Sequence, residues 1–137
     1  MRKPLLCLDL EGTLISNGVS QIPRPGLHDF LTIASRFCDL TLYTSVKQER
    51  ASAIQKLLVS EGAAPTWFAD LDVIQPVGTL KPKSACKRID AYLLDDQPDV
   101  IAPGEDEWWI PIPEFLPPYL EDDRALAVTL TRIKELA

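Results

Sequence analysis

Four short segments of the sequence carry side chains that could together transfer a phosphoryl group. The segments supply carboxylates, hydroxyls and an ammonium group, and they are residues 9–13 (DLEGT), Thr44-Ser45, Lys81 and Asp95-Asp96. Phosphoryl transfer needs a nucleophile in line with the phosphorus, positive charge around the transferred oxygens and donors that hold those oxygens. Carboxylates are also the oxygen ligands that Mg2+ prefers. The residue types therefore indicate phosphate chemistry, provided that one fold brings the segments together.

Three of these segments follow runs that are typical of buried parallel strands. PLLCLD at residues 4–9, DLTLYT at 39–44 and AYLLD at 91–95 are largely apolar and end in Asp or Thr. Shorter strands are predicted at residues 66–69 and 107–112. Ligands of open α/β folds bind at the carboxyl ends of the strands, so all four segments would meet at one edge of the sheet.

Helices are predicted at residues 26–37, 47–60, 84–89 and 122–136. The alternation predicts an α/β, Rossmann-like domain, with a central parallel sheet of about five strands and helices on both faces. Asn17-Gly18 predicts a small β-hairpin flap over the carboxyl edge. The flap and one helix fill the chain up to Thr44, which leaves no room for an inserted cap domain. Residues 1–137 are therefore expected to form one capless domain.

Composition narrows the range of partners. The chain has 137 residues, 46% of them hydrophobic, which suits a single core, and no apolar run approaches the length of a membrane span. A formal net charge of -6 argues against a broad contact with nucleic acid. The three cysteines have neither metal-binding nor disulfide-framework spacing, so reduced thiols are expected. We therefore expect a cytoplasmic protein with a phosphorylated partner, and the sequence leaves the oligomeric state open.

The order of the four segments resembles the motifs of the haloacid dehalogenase (HAD) superfamily. Those motifs are a DxDGT-like loop, a Ser or Thr after the second strand, a Lys, and an acidic pair after the fourth strand. PRPGLHDFL, LYTS, LLDDQPD and IPIPEF further resemble the capless branch that includes RNA polymerase C-terminal-domain phosphatases and magnesium-dependent phosphatase-like proteins. The resemblance covers nearly the whole chain and implies a Mg2+-dependent phosphatase.

The resemblance implies catalytic roles for four residues. Asp9 would attack the phosphorus and form an aspartyl-phosphate, and Glu11 would protonate the leaving group and then activate water. Lys81 would neutralise the phosphate, and Thr44 would donate a hydrogen bond to one of its oxygens. The LKP sequence around Lys81 is similar to the third motif of the family, and Lys83 is the second choice for this role.

The same resemblance implies further contacts to phosphate and metal. The residues expected to bind or support the phosphate are Leu10, through its backbone N–H, Gly12, Thr13, Ser45 and Lys83. The expected Mg2+ ligands are the carboxylates of Asp9, Asp95 and Asp96 and the backbone carbonyl of Glu11. In the family the second residue of the acidic pair usually binds the metal while the first often steadies the Lys, and Asp99 could take the supporting place of Asp95.

One position departs from the commonest family pattern. Glu11 stands where most HAD phosphatases have Asp, although some phosphatase families of the superfamily carry Glu. Capless members tend to act on macromolecules, so a phosphoprotein or another large phosphomonoester is the expected substrate. The alternative is a HAD module with little or no turnover that serves as a phospho-ligand or protein-binding domain. A phosphatase that processes nucleic-acid ends would need a cationic groove, for which Arg24 and Arg50 are among the candidates.

Overall fold

One sheet of five parallel strands forms the centre of the computed structural model, which describes residues 2–136. The strands are β1 (Leu5–Leu8), β2 (Asp39–Tyr43), β3 (Val73–Ile74), β4 (Ala91–Asp95) and β5 (Trp109–Pro111). Their order in the sheet is β3-β2-β1-β4-β5, so the chain winds from β1 first to one side and then to the other. The predicted α/β class and the predicted parallel sheet are both confirmed.

Three α-helices cover one face of the sheet, and they are α1 (Leu27–Phe37), α2 (Gln48–Ser60) and α3 (Ala125–Leu136). Their apolar sides share one cluster of buried side chains with Leu6 and Leu8 of β1. Leu5 and Cys7 point to the opposite face and pack there with Trp108. The expectation of helices on both faces is corrected, because short 3-10 helices and loops cover this second face. No helix within residues 2–136 has the length and apolar character needed to cross a membrane.

β1 is the central strand, and its register sets the level at which the neighbouring strands end. All four of its residues are apolar and buried. Leu8 pairs with Leu42 of β2 on one side and with Leu94 of β4 on the other. Asp9 comes directly after β1 and Asp95 is the last residue of β4, so the two carboxylates emerge side by side at the carboxyl edge of the sheet.

The prediction of the third strand is wrong. Residues 66–69 belong to a 3-10 helix, Thr66–Asp70, and the third strand is instead β3. Phe68 is fully buried in the core, and the Gln55 side chain donates to its carbonyl at 2.8 Å, which holds the 3-10 helix against α2. β3 is only half-buried and pairs over two residues at the edge of the sheet, so it lacks the apolar run that identifies a strand in a sequence.

The connections to β4 and β5 are tighter than predicted. The helix expected at residues 84–89 is a 3-10 helix, Lys83–Cys86. Lys87 then adopts a left-handed backbone with φ 55°, which ends the helix. Another 3-10 helix, Asp106–Trp108, takes up the first part of the strand predicted at 107–112.

The flap is a loop, and within residues 2–136 its antiparallel pairing is limited to one bridge, between Ile15 and Pro23. Asn17 does not form the two-residue hairpin turn that was predicted. Its side-chain oxygen accepts the N–H of Val19 at 2.8 Å, and its carbonyl accepts the N–H of Gln21 at 2.9 Å. An Asn side chain that bonds to the backbone two residues on stabilises a wider, helix-like turn, so the hairpin geometry is corrected.

A buried ion pair ties the loop after β1 to the start of α3. Arg24 is 1% exposed, and its Nε and Nη2 atoms donate to the two carboxylate oxygens of Asp123 at 3.1 and 3.2 Å. Its Nη1 atom donates to the carbonyls of Gly12 and Thr13 at 3.4 and 3.2 Å. The guanidinium also lies over the Phe115 ring, 5.3 Å from the centroid. Arg24 thus supports the loop after β1 and is not part of a cationic groove.

We predict that Asp123→Asn lowers the free energy of unfolding by roughly 2–3 kcal/mol at pH 7, because it leaves the buried Arg24 charge without a counter-charge. The loss is smaller than for a fully buried pair, since the Asp123 side chain is 21% exposed and solvent screens it. Urea denaturation measures the change. Asp122→Asn, at the exposed neighbouring position, is the control and should cost less than about 0.5 kcal/mol. Equal losses in the two variants would contradict the prediction.

The loss of unfolding free energy in Asp123→Asn should depend on pH. Partial burial raises the pKa of Asp123, but the hydrogen bonds from Arg24 and from the Ala125 N–H outweigh burial and hold the pKa below its ordinary value of 3.8. A carboxyl whose pKa is lowered by folding contributes stability above its unfolded pKa, and this contribution is lost as the pH falls through the folded pKa. The difference between wild type and Asp123→Asn should therefore be complete at pH 7 and should shrink below about pH 4.

Candidate active site

A cavity of about 530 Å³ opens at the carboxyl edge of the sheet, beside the loop after β1, the flap and the ends of β2 and β4. Most of the residues predicted to carry the chemistry line this cavity. They are Asp9, Glu11, Gly12, Thr44, Ser45, Lys81, Asp95 and Asp96. The fold therefore brings side chains from all four sequence segments to one place.

Asp9 lies at the centre of the hydrogen bonds in this cavity. Its carboxylate is almost fully buried, with Oδ1 accepting from Lys81 Nζ at 2.8 Å and Oδ2 accepting from the Thr13 hydroxyl at 2.8 Å. Thr13 Oγ1 also lies 3.0 Å from Asp96 Oδ1. The Asp9 N–H donates to the Leu94 carbonyl at 3.0 Å, so the pairing of β1 with β4 continues to this residue. Thr13 is thus a bridge between the loop and the acidic pair, and it lies behind the cavity wall.

Lys81 is a buried ammonium between two carboxylates. Its Nζ atom lies 2.8 Å from Asp9 Oδ1 and 2.5 Å from Asp95 Oδ2, and it faces the Tyr43 ring at 5.8 Å from the centroid. Its backbone N–H donates to the Val100 carbonyl at 2.7 Å, which fixes this segment of chain. Burial lowers the pKa of Lys81, but Asp9 and Asp95 outweigh burial and raise the pKa above its ordinary value. The side chain is therefore a permanent positive charge.

The negative charge of the carboxylates in the site exceeds the positive charge beside them. Asp9, Asp95 and Asp96 offer oxygens that lie within 4.8 Å of one another, and Lys81 contacts the first two. Burial raises the pKa of Asp9 well above its ordinary value and raises that of Asp95, although Lys81 opposes the change in both. A hard divalent cation such as Mg2+ would take these oxygens as ligands and offset their repulsion. The donor set therefore fits the predicted metal.

The two residues of the acidic pair have different surroundings. Asp95 is 1% exposed, and its oxygens accept from Lys81 Nζ and from the Gln97 N–H, at 2.5 and 2.9 Å. Asp96 is half-buried and accepts from the Gln97 side chain at 2.7 Å. Asp99 is exposed and is not among the residues that line the cavity. These surroundings suit Asp96 to a metal and Asp95 to the support of Lys81.

The Glu11 side chain is turned toward the flap. Its Oε2 accepts the N–H of Gly18 at 2.5 Å, and Arg50 of α2 donates to the Gly18 carbonyl. The backbone N–H groups of Leu10 and Glu11 make no hydrogen bond within residues 2–136, and the Leu10 side chain is fully buried in the core. Leu10 can therefore contribute to the site only through its backbone.

The remaining predicted residues fall into two groups. Thr44 is 1% exposed and Ser45 is exposed, and both line the cavity. Lys83 lies elsewhere, beside a separate surface hollow, and its N–H donates to Glu105 Oε1 at 2.9 Å. The turn of the chain after Lys81 directs the two lysines to different places. The binding role predicted for Lys83 is therefore corrected, and Lys81 is the lysine at the site.

Sequence reasoning missed several polar side chains that line the cavity. They are Ser16, Asn17, Thr79, Gln97 and Glu114. The position of Gln97 directly after the acidic pair was a usable signal, and its amide nitrogen lies 2.7 Å from Asp96 Oδ2 and 3.3 Å from Glu114 Oε1. Glu114 gave no signal, because it reaches the cavity only where the chain crosses back over the site and the Phe115 N–H donates to the Gly12 carbonyl at 2.8 Å.

Comparisons with known proteins give a family and a similar fold. A family model described as NLI interacting factor-like phosphatase matches residues 4–137. The search of curated proteins gave no match. Among solved structures, a variant of the fission yeast RNA polymerase II CTD phosphatase Fcp1, bound to beryllium fluoride, is similar with a TM-score of 0.60 and 18% identity. The likeness covers 96% of this chain and 50% of that chain, so this chain spans half the length of the yeast structure and shares its fold.

Gly12 offers a test of the acidic cluster. A Cβ atom at this position would lie 2.5 Å from Asp96 Oδ2, so we predict that Gly12→Ala displaces Asp96 and weakens Mg2+ binding by at least about tenfold. Gly62→Ala is the matched control, because the two glycines have φ angles of 78° and 75° but the added Cβ of Gly62 meets no atom of residues 2–136 within 4 Å. Isothermal titration calorimetry measures both affinities. The prediction fails if the two variants bind Mg2+ equally well.

Proposed function

The chain belongs to the NLI interacting factor-like phosphatase family, and from this membership we propose that it is a Mg2+-dependent phosphatase that acts through a covalent phosphoryl group on Asp9. Family and fold confirm the resemblance to the capless HAD branch of RNA polymerase C-terminal-domain phosphatases. One observation carries the proposal for Asp9: its buried carboxylate contacts the Lys81 ammonium at 2.8 Å, beside two further carboxylates in the cavity. This combination supplies a nucleophile, a fixed positive charge and a set of metal ligands.

The first step is attack of the Asp9 carboxylate on the phosphorus. A bond forms between an Asp9 oxygen and phosphorus, and the bond from phosphorus to the leaving oxygen breaks. Lys81, at 2.8 Å from Oδ1, favours the ionised nucleophile and would neutralise charge on the phosphate. The Thr13 hydroxyl, at 2.8 Å from Oδ2, fixes the orientation of the carboxylate.

Donors around Asp9 would hold the phosphate oxygens during this step. The backbone N–H groups of Leu10 and Glu11 are available for this purpose. The Thr44 hydroxyl oxygen accepts the N–H of Val46 at 3.1 Å, so its own proton is free to donate. Mg2+, held by Asp9, Asp96 and the Glu11 carbonyl, would supply the positive charge that offsets repulsion between carboxylate and phosphate.

Glu11 would transfer the proton in both halves of the reaction. It gives its proton to the leaving oxygen while the first bond breaks, and it then accepts a proton from the water that attacks phosphorus in the Asp9 acyl phosphate. This second attack breaks the bond between Asp9 and phosphorus and releases inorganic phosphate. Asp9 is again a free carboxylate and Glu11 again carries a proton, so the site is ready for another turnover.

A phosphoprotein is the substrate class that the available observations favour. The cavity opens at the edge of the sheet between loops, where a phosphorylated side chain of a larger molecule can enter. The similar yeast structure is that of an RNA polymerase II CTD phosphatase, which supports a protein substrate. The net charge of -6 opposes nucleic acid as the main partner.

The position of the Glu11 side chain also favours one alternative. Its carboxylate accepts the N–H of Gly18 in the flap, and among residues 2–136 it makes no hydrogen bond with Asp9. A module that binds Mg2+ and a phosphorylated ligand without hydrolysis could have the same arrangement. Release of inorganic phosphate separates the two functions.

We predict that the chain releases phosphate from a phosphoserine peptide only with Mg2+, and that Asp9→Asn lowers kcat at least about 10³-fold because it removes the nucleophile. Asp29→Asn, on the exposed side of α1, is the control and should keep wild-type turnover. A colorimetric assay of inorganic phosphate measures both. Binding of Mg2+ and phosphopeptide by the wild type without any release of phosphate would contradict the phosphatase and support the binding module.

A further inference from the structure

We propose that Gly18 and Arg50 are positioning residues that hold the Glu11 carboxylate for proton transfer. The inference rests on the proposed function and extends it to two residues with no predicted role in the chemistry. Glu11 Oε2 accepts the N–H of Gly18 at 2.5 Å. The Gly18 carbonyl accepts from the Arg50 guanidinium, with Nε at 3.1 Å and Nη2 in a second contact. The donor and the acceptor of Gly18 are therefore both used.

These contacts join three separate parts of the fold. Glu11 belongs to the loop after β1, Gly18 to the tip of the flap and Arg50 to the first turn of α2. The Ile15–Pro23 bridge fixes the base of the flap, and buried side chains fix α2 against the core. The tip of the flap is thus held on one side by the loop that carries the acid and on the other side by a helix.

The length of the Glu11 side chain makes the contact possible. The loop backbone is fixed next to Glu11, where the Gly12 N–H donates to the Ile15 carbonyl at 2.8 Å. An Asp at this position would lack one carbon–carbon bond and end about 1.5 Å short of Gly18. A Cβ atom at Gly18 would lie 3.0 Å from Glu11 Oε2 and 3.3 Å from Arg50 Nε, so a side chain there would press on both partners. The contact therefore requires both the longer side chain of Glu11 and the absence of a side chain at Gly18.

The bond to Gly18 gives different tasks to the two carboxyl oxygens. With Oε2 held by the N–H of Gly18, Oε1 is the oxygen that would deliver and later accept the proton. A carboxyl group that is already held also loses less freedom when it reaches the reacting atoms. Holding the Glu11 carboxyl group in place favours proton transfer. The contact therefore matters most for leaving groups that need a proton.

Two aryl phosphates of similar size test the proposal. para-Nitrophenolate leaves without a proton, whereas the phenolate of phenyl phosphate is a poorer leaving group that benefits from one. In Arg50→Gln and in Gly18→Ala, we expect kcat/KM for phenyl phosphate to fall at least about tenfold, and kcat/KM for para-nitrophenyl phosphate to fall less than about threefold. The ratio kcat/KM reports only the attack of Asp9 and the departure of the leaving group, so it leaves out the later hydrolysis that both substrates share. KM for phenyl phosphate should stay close to the wild-type value, because neither residue lines the cavity.

Lys56→Gln is the matched control, because Lys56 is exposed on the same helix. It should leave kcat for both substrates unchanged. Equal losses of kcat/KM for the two substrates in Arg50→Gln and Gly18→Ala would overturn the proposal, since a purely structural role lowers both values alike. A wild-type chain that hydrolyses neither substrate would contradict the proposed function itself.

Hydrogen exchange tests the contact independently of turnover. The Gly18 amide should be protected in the wild type, and it should exchange faster in Glu11→Ala, where its acceptor is removed. Arg50→Gln should raise the same exchange rate, because the flap tip loses its anchor on α2. An unprotected Gly18 amide in the wild type would overturn the positioning of Glu11, whatever the activity of the chain.

A different observation carries a second proposal, which does not depend on the phosphatase reaction. We infer that Cys7 and Cys86 form a reversible disulfide. Their Sγ atoms lie 2.9 Å apart, and both residues are buried with free thiols. A disulfide bond is about 2.05 Å long, so the two sulfurs have to approach by only roughly 0.9 Å.

The reaction needs a two-electron oxidant, and hydrogen peroxide is the oxidant proposed. Each thiol loses a proton and the pair loses two electrons, while the peroxide is reduced to two molecules of water. Cys86 is 8% exposed and Cys7 is fully buried, so the oxidant reaches Cys86 first and forms a sulfenic acid there. Attack by the Cys7 sulfur then forms the S–S bond and releases water.

The bond would join the two segments that carry the central charges of the site. Cys7 lies in β1, just before Asp9, and Cys86 ends the 3-10 helix that follows Lys81. The cross-link would fix the segment after Lys81 to the strand of the nucleophile. The oxidised chain should also unfold at a higher temperature than the reduced chain, because the cross-link restricts the unfolded state.

Thiol titration of the denatured chain after peroxide treatment tests this proposal. The wild type should keep one of its three thiols and lose about 2 Da, and dithiothreitol should restore both values. Cys38→Ser should keep the reaction, and Cys86→Ser should abolish it. Peptide mapping of the oxidised wild type identifies the linked pair without any variant. Three free thiols after treatment, or a link that includes Cys38, would overturn the proposal.

Discussion

The Lys81 ammonium, buried between the carboxylates of Asp9 and Asp95, is the interaction on which the rest of the site depends. Its Nζ atom lies 2.8 and 2.5 Å from the two carboxylates, and none of the three side chains is more than 8% exposed. Buried charges are costly unless they are paired, so the fold has to hold all three groups at contact distance. The register of β1 with β4 aligns the two carboxylates, and the hydrogen bond from the Lys81 N–H to Val100 fixes the third partner. Together with Asp96, the site still has an excess of negative charge, which is why a divalent cation fits it.

The site has a rigid side and a more adjustable side. Asp9, the proposed nucleophile, and the acidic pair lie on buried strands or directly after them. Lys81 lies in a loop that its N–H fixes to the Val100 carbonyl, and Arg24 supports the loop after β1 through the carbonyls of Gly12 and Thr13. Glu11, the proposed acid and base, depends instead on a flap without a regular strand pair and on the exposed side chain of Arg50. Elements with few buried contacts open at low cost in free energy. Substitutions in the flap should therefore alter the proposed proton transfers by Glu11 more than the contacts of Asp9 with Lys81.

The parts of the site at strand ends could be predicted from the sequence, and the parts that depend on loops could not. Asp9, Thr44 and Asp95 were identified because an apolar strand followed by a polar residue is a local pattern, and parallel strands share one carboxyl edge. β3 was missed because an edge strand of two residues carries no such pattern. Arg24 and Arg50 could be recognised as cations but not given a place, since their partners come from distant loops. The contact of Glu11 with Gly18 depends on how Asn17 shapes the flap, which a hairpin pattern does not specify.

Mass spectrometry of the acid-quenched chain tests the central role of Asp9 most directly. Glu11→Gln should slow hydrolysis of the Asp9 acyl phosphate, because the general base is removed. With Mg2+ and para-nitrophenyl phosphate, whose leaving group needs no proton, the phosphorylated chain should therefore accumulate. The account predicts a mass gain of about 80 Da on the peptide that contains Asp9, and its loss on treatment with hydroxylamine, which cleaves acyl phosphates. Wild-type turnover without any label on Asp9 in the variant, or with the label on another residue, would contradict it.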